Sequence, residues 1–539
     1  NLSLFNGDPQ LAVPLGPEYP LGYGVSFRLT AHYSTRFWHM YQTECLNRDY
    51  GVMELHGRAR VRGLPTLGVG WTLEPGTVDP APSPGARSRY FSPDGGVHEF
   101  GDVPVGTIQA PEDGSAIRIR KLAEGGYVIH FPDGTTHWLT HPYERPDPKT
   151  LWGNGWDFTD VDGSALDRRT ARWGLKEIRD RDNVVVADVH WSSTKPWMMA
   201  SIWLPNASRA IVFGWTRLTP AGQGVTWDVL GSIEFPILAS ASSVLTVTMG
   251  YSSSGRLRRS SFEENGNTDC GGLASSDISL PFLTSITQHT DVYAFGYSLG
   301  DAGSGLLTSY RLPTGLLVEY GYSDATAPIP CLYGTYADCS SLDETNTSAG
   351  GSDSNDPADR WRRLQGYLDR APAVITRTET DPTNGQAFAT TYERRQFAPA
   401  VGRSHPSDRY RDPKRVLRRV IVRRPSGNGD MLATRHIFHV LTDGSDDGSE
   451  PVVSGPGLEV ERRVYAGSMA SGAPVLSNVF CFERTFAEPY TTYCGALDAS
   501  GAIVEFPMGF SHMQPSGEVT WYGTNPPRAS ECSNATSYA

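Results

Sequence analysis

"LLTSYRLPTGLLVEYGYS", residues 306–323, sets one alternating run against another across Pro-Thr-Gly and closes on paired tyrosines. Pro313 restricts its own φ and Gly315 tolerates φ > 0, so the chain can reverse there and the flanks read as two antiparallel strands. By the two-residue period Tyr320 and Tyr322 share one face, with Glu319 and Gly321 on the other. Such a hairpin buries one face only and needs neighbours to be stable.

The grammar recurs along most of the chain. Strand, polar reversal and strand appear in "YFSPDGGVHEF" (90–100), "YVIHFPDGTTHWL" (127–139), "LKEIRDRDNVVVADVHW" (175–191), "SIWLPNASRAIVFGW" (201–215) and "LTVTMGYSSSGRLRRS" (245–260). Longer units follow in "VITRTETDPTNGQAFATTYERRQF" (374–397), "RRVIVRRPSGNGDMLATRHIFHV" (418–440) and "LEVERRVYAGSMASGAPVLSNVFCFERTF" (458–486), around Asn-Gly, Gly-Asn-Gly and Ser-Gly turns. Consecutive hairpins joined by short reversals pair with their neighbours, so residues 90–325 are expected to form one continuous antiparallel strip. Between the two sets lies "DETNTSAGGSDSNDPAD" (343–359), which reads as a polar surface loop, with a domain boundary as the other reading.

Composition agrees with an all-β chain. The 539 residues exceed what one ordinary core supports, so several domains or a repeat architecture is expected. Aromatics at 11%, with 57 Gly and 39 Pro, favour turn-rich sheet over helix. Only Lys121, Lys149, Lys176, Lys195 and Lys414 are lysines, so nearly all positive charge is arginine.

The formal charge of −12 argues against nucleic acid as a partner. Residues 391–424 run the other way, with 11 Arg/Lys against Glu393, Asp408 and Asp412, an excess of 8. No helix-turn-helix, finger or stacking motif accompanies them, so these arginines are expected to pair with the acidic stretches at 343–359 and 443–450. No run of about 20 apolar residues predicts a membrane-spanning helix. Asn1 leads directly into "LSLFNGDPQLAVPLG" without a basic region and apolar core, which suggests a processed start or a piece of a longer polypeptide.

The seven cysteines contain no Cys-x-x-Cys, which argues against zinc or thioredoxin-like chemistry. Cys331/Cys339 and Cys481/Cys494 are spaced like loop-closing disulfides, with free thiols as the alternative. Asn206, Asn346 and Asn534 open glycosylation triplets, which matter only if the source glycosylates its exports.

"SPDGGVHEF", "FPDGTTHWL", "IRDRDNVVV", "GYSSSGRL" and above all "LTSYRLPTGLLVEYGYS" resemble the tyrosine/aspartate-rich repeats of the bacterial RHS (YD-repeat) family. "FNGDPQLAVPLGPEYPLGYGVSFRLTAHYST" (5–35) and "LGVGWTLEPG" (67–76) are similar to the segment that begins such repeat regions. The resemblance covers most of residues 5–325 and the remainder by hairpin pattern alone. It implies a β-strip that spirals into a hollow shell around a toxic C-terminal domain, as in the C components of insecticidal Tc toxins and in teneurins. It also implies a secreted or cell-surface setting, with a C-terminal continuation or separate processed chain and other assembly subunits as partners. The family's core segment carries an aspartyl self-cleavage motif of the Asp-Pro-Leu-Gly kind. Here Asp147-Pro148, Asp381-Pro382 and Asp412-Pro413 are followed by Lys149, Thr383 and Lys414, so neither autoproteolysis nor toxicity is carried over.

No Gly-x-Ser-x-Gly elbow, phosphate loop, His-Glu-x-x-His or dinucleotide fingerprint appears, so the chain is expected not to be an enzyme and to need no cofactor or metal. His98, His130 and His137 lie in neighbouring hairpins, where histidine among aromatics reads as a sheet-surface residue rather than a metal ligand. Asp157, Asp160, Asp162 and Asp167 in "WDFTDVDGSALDRR" (156–169) begin like a calcium loop, but the remaining ligand positions do not fit and a plain Asp/Gly turn is preferred. Trp71, Trp138, Trp152, Trp156, Trp173, Trp191, Trp203 and Trp215 read as sheet packing, against a carbohydrate platform.

The expectation is an all-β protein of antiparallel hairpin repeats forming a long curled sheet. It divides into an opening segment at 1–85, YD-like repeats at 86–330, a polar insertion at 331–360 and longer hairpins at 361–539. Its function is a non-catalytic scaffold, part of a shell enclosing or presenting a toxin or other cargo. The alternatives are a secreted adhesive or glycan-binding β-protein, or a structural subunit of a larger cell-surface assembly.

Overall fold

The computed structural model describes residues 2–4, 7–22, 25–35, 38–47, 52–61, 66–73, 75–81, 88–101, 103–111, 115–145, 170–205, 207, 209–219, 227–237, 243–257, 278–299, 305–323, 373–397, 417–425, 431–439, 442–443, 452–453, 458–467, 474–484, 492–494, 513–521 and 536–537. All regular structure among them is β.

The principal sheet is a meander of antiparallel strands taken almost in chain order. It starts at the short strand Ile108–Gln109, runs through Arg118–Lys121, Tyr127–His130 and Thr136–Leu139, then resumes at Glu177–Arg179 and continues strand by strand to Leu317–Tyr322. Val374–Thr380 pairs directly with Leu317–Tyr322, and the longer hairpins extend the sheet to Leu476–Arg484, Met513–Trp521 and Thr536–Ser537. No register joins Ile108–Gln109 to Thr536–Ser537 among the described residues, so the sheet is open.

Turn chemistry explains the meander. In each three-residue reversal the residue before the loop receives the amide three positions on and donates its own to the carbonyl four positions on. Ser92, Leu122, Phe131, Asp180 and Leu312 all do this. The geometry needs a left-handed residue at the fourth position, and Gly95, Gly125, Gly134 and Gly315 supply it at φ +85°, +97°, +87° and +89°. Asn183 does so at 63°, where its short polar side chain tolerates the conformation.

Two expectations are corrected. The hairpin at 90–100 does not join the strip. Its strand Ser88–Phe91 pairs with Thr77–Asp79, and with Val97–Phe100, His141–Arg145 and Thr170–Gly174 it makes a separate five-stranded sheet. The upstream strand competes successfully because it brings Val78 opposite Tyr90, and both are fully buried in a shared core with Phe100, Ile119, Ile129 and Leu139. Nor does the chain reverse within 245–257: Val244–Leu257 is one long strand. Its Ser/Gly stretch is taken up by a register shift between Ser252 and Gly255 instead of a reversal.

The main core lies between the strip and a small upstream sheet of Leu11–Gly22, Val25–Tyr33 and Trp71–Thr72. Alternate residues Val13, Leu15, Leu29, Ala31 and Tyr33 face Val189, Ile202, Ile211, Ile233, Val247, Ile286, Leu307, Val318 and Val374. Each fully buried aliphatic side chain contributes about 1.5–3 kcal/mol relative to exposure. The opposite strip face carries Ser201, Val212, Glu234, Thr246, Thr248, Ser309, Glu319 and Thr376, and is open or half-open.

Candidate functional surface

The packed face is organised by a repeat of its own. A Gly or His followed by Trp or Tyr sits at His190-Trp191, Gly214-Trp215, Gly250-Tyr251, Gly296-Tyr297 and Gly321-Tyr322. At each the register slips by one residue against the following strand, leaving Ala200, Gly231, Thr284, Thr308 and Ile375 as the extra residues. The first residue of each pair faces a hydroxyl: Ser201, Ser232, Ser285, Ser309 and Thr376 respectively. The aromatic ring of the pair faces Met199, Leu230, Leu283, Leu307 or Val374.

A bulge leaves backbone groups without ladder partners, and here the rings and the upstream segment take them up. Each ring donates to the carbonyl facing the previous ring. Trp215 Nε1 reaches Met199 O at 2.8 Å, Tyr251 Oη reaches Leu230 O at 2.6 Å, Tyr297 Oη reaches Leu283 O at 2.6 Å and Tyr322 Oη reaches Leu307 O at 2.7 Å. Trp191 Nε1 begins the ladder at Leu175 O, 2.9 Å away.

The amides along the same row bond the N-terminal third of the chain. Leu175 N donates to Gly76 O, Leu230 N to Thr66 O, Leu307 N to Tyr33 Oη and Val374 N to Gly7 O, at 3.0, 2.7, 2.9 and 3.0 Å. Trp71 Nε1 donates to Tyr297 Oη at 2.7 Å. Gln288 adds a two-way contact, accepting from Gly16 N at 2.9 Å and donating to Pro14 O at 2.8 Å. Burial pushes the hydroxyls of Tyr33, Tyr251, Tyr297 and Tyr322 up, so all four stay protonated at any physiological pH.

Further along, Arg394 ties down the start of the chain. It is buried, donates Nε to Leu4 O at 2.9 Å and hydrogen-bonds Val374 O through Nη1. Burial, then the nearby Arg418 charge, lowers its pKa to about 10. The arginine-rich strands find carboxylates within the sheet: Arg423 with Glu393 at 2.9 Å, Arg435 with Glu461 at 2.7 Å and Arg462 with Glu459 at 2.7 Å. Of the acidic stretches proposed as their partners, 343–359 and 444–450 lie outside the described residues, and Asp443 stands opposite Val452 in a two-stranded ribbon. Also outside the described residues are Asp157–Asp167, Cys331, Cys339 and the three triplet asparagines, Asn206, Asn346 and Asn534.

The histidines do not converge. His137 is buried, with Nδ1 3.4 Å from Tyr90 Oη, and desolvation lowers its pKa to about 4. His98 stacks against the same tyrosine at 6.0 Å and bonds Ser115 Oγ at 3.2 Å. His130 sits one position from Ile129, the cross-strand partner of His137, and therefore points to the other face. Among the described residues no group of three or more His, Cys, Asp or Glu is placed to hold a metal. Asp381 of Asp381-Pro382 caps a hairpin turn, accepting from Thr383 N at 2.8 Å and Thr383 Oγ1 at 2.6 Å.

Of the described tryptophans, Trp71, Trp191 and Trp215 belong to the ladder and Trp138 lies under the Arg179 guanidinium at 4.1 Å. Trp203 differs: it is 50% exposed on the open face. Tyr320 and Tyr322 do share one face, with rings 6.5 Å apart, and Tyr320 packs on Tyr310 at 6.1 Å. The Gly-aromatic ladder was the feature that reading for hairpins passed over. Its signal stands in the sequence as "FGW", "MGY", "FGY" and "YGY", each partnered by a later "LGS", "LTS" or "VIT".

No family model and no curated protein matches the chain. Solved structures that it resembles are Tc toxin components. TcdB2-TccC3 without its hypervariable C-terminal region aligns at 7% identity and TM-score 0.38, covering 96% of this chain and 42% of that one. TcdB2-TccC3-Cdc42 aligns at 11% identity and TM-score 0.20, covering 95% and 19%. A Photorhabdus luminescens Tc holotoxin pore aligns at 10% and 0.24, covering 97% and 27%. The chain thus spans well under half the length of each, and alignments this loose do not place it in their family. No helix among the described residues is long and apolar enough to cross a membrane.

Proposed function

We propose that the chain is a non-catalytic RHS-like repeat scaffold, a section of β-wall that encloses or presents a toxin or other cargo in a secreted or cell-surface assembly. The observation that carries this reading is the aromatic ladder. Five successive rungs tie each ring-bearing strand to the chain of the strand before it, and Trp71 and Tyr33 tie the same row to the upstream segment. Packing of this kind serves rigidity over a long span: the polar atoms of partly buried rings are spent on backbone carbonyls, and none is left poised for a substrate. The sequence resemblance to YD repeats supplies the cargo, which would be a continuation of the same polypeptide or a separately processed chain.

Exposure of Trp203 favours a second reading, a glycan-binding adhesive, since an indole half-open on a sheet face can stack on a sugar. Native mass spectrometry of material from the source organism separates the two. The scaffold reading expects a second polypeptide, protease-resistant until the sheet is unfolded. Recovery of a free monomer whose binding on a glycan array is lost in Trp203→Ala would overturn it in favour of the adhesive.

A further inference from the structure

The backbone register places Cys481, in Leu476–Arg484, directly opposite Cys494, in the short strand Thr492–Cys494. We propose that these two residues form a cross-strand disulfide. Opposed residues of an antiparallel pair have Cα atoms about 4.5 or 5.5 Å apart, depending on hydrogen-bonding class. Both separations fall within the roughly 4.4–6.8 Å that a disulfide spans, so the bond needs no backbone movement. The register therefore places Cys481 and Cys494 at positions on one face of the sheet. On its other flank Cys481 faces Gly517, which brings no side chain to the row.

The topology gives the bond a purpose. Leu476–Arg484 is held along its length by Met513–Trp521, whereas among the described residues Thr492–Cys494 pairs with Cys481, Phe482 and Glu483. So short a strand is marginal by its hydrogen bonds alone. A link from Cys481 to Cys494 closes residues 482–493 into a loop and fixes the strand in register. The bond forms by exchange: the Cys481 and Cys494 thiols each lose a proton, the S–S bond takes their place, and glutathione disulfide accepts two electrons and two protons to become two glutathione thiols. Such a bond places the folded protein in an oxidising compartment at some stage.

Tryptic mapping tests this on the full chain. Cleavage after Arg463, Arg484 and Arg528 puts Cys481 in 464–484, Cys494 in 485–528 and Cys532 in 529–539. Protein folded in a glutathione redox buffer is alkylated without reduction, digested and analysed by mass spectrometry. The expected product is 464–484 joined to 485–528, lighter by two hydrogens than the sum of the free peptides and separated by reductant. In Cys481→Ser, 485–528 should become fully alkylated, with the circular-dichroism spectrum unchanged. Recovery of both peptides singly alkylated from folded protein, or of either joined to the Cys532 peptide, would overturn the assignment.

Discussion

Replacing Tyr297 by Phe removes one oxygen and leaves the ring in place, so no cavity forms and the change reads the ladder's polar part alone. That oxygen donates to Leu283 O at 2.6 Å and accepts from Trp71 Nε1 at 2.7 Å. A buried hydrogen bond contributes about 1 kcal/mol net, and a stranded buried partner costs about 1–3 kcal/mol. Two stranded partners beneath a partly buried ring put Tyr297→Phe at about 2–5 kcal/mol. Tyr322 and Tyr251 each donate one bond, to Leu307 O and Leu230 O, so Tyr322→Phe and Tyr251→Phe should cost about 1–2 kcal/mol. Urea unfolding of the three variants gives the order directly through their midpoints. A cycle with Trp71→Phe should show a coupling of about 0.5–3 kcal/mol between Trp71 and Tyr297. A midpoint for Tyr297→Phe no lower than that for Tyr322→Phe, or strict additivity with Trp71→Phe, would refute the ladder as a source of stability.

Gly315→Val should destabilise by roughly 1–3 kcal/mol, because φ there is +89° and an added Cβ would come within 3.0 Å of the Pro382 Cβ; a melting temperature equal to wild type would contradict it. Tyr320→Ala should cost about 3–5 kcal/mol, since the ring is buried against Tyr310 and Tyr322; a stable variant that had lost binding on a glycan array would instead make that tyrosine a ligand contact. His137, enclosed by Tyr90 and near Asp133, has its folded pKa lowered from 6.5 to about 4, so the unfolded chain takes up the proton first. Stability from this group is present above pH 6.5 and is lost as pH falls toward 4, by roughly 3 kcal/mol in all; His137→Phe should flatten that part of the stability–pH curve, and an unchanged slope would show that other groups set it.

The hairpins are local, and the sequence by itself determines them. Turn chemistry at Pro313-Thr314-Gly315 or Asp133-Gly134 acts over a few residues, and the two-residue period sorts Tyr320 and Tyr322 from Glu319 without reference to the rest of the chain. What sequence reading could not place depends on partners far away. The strand Ser88–Phe91 has the same alternation as the strip's own hairpins, and only competition from Thr77–Asp79 draws it into another sheet. "YSSSGRL" looks like a reversal, yet at 251–257 the chain runs straight because a facing strand, Ile278–Gln288, absorbs the irregularity as a bulge. The same holds for Gly296-Tyr297: its residues are plain in the sequence, but their meaning rests on Leu283, Leu307, Tyr33 and Trp71, with Trp71 226 residues away. A bulge's freed carbonyl and amide demand partners, and only the tertiary structure decides which distant ring or strand supplies them.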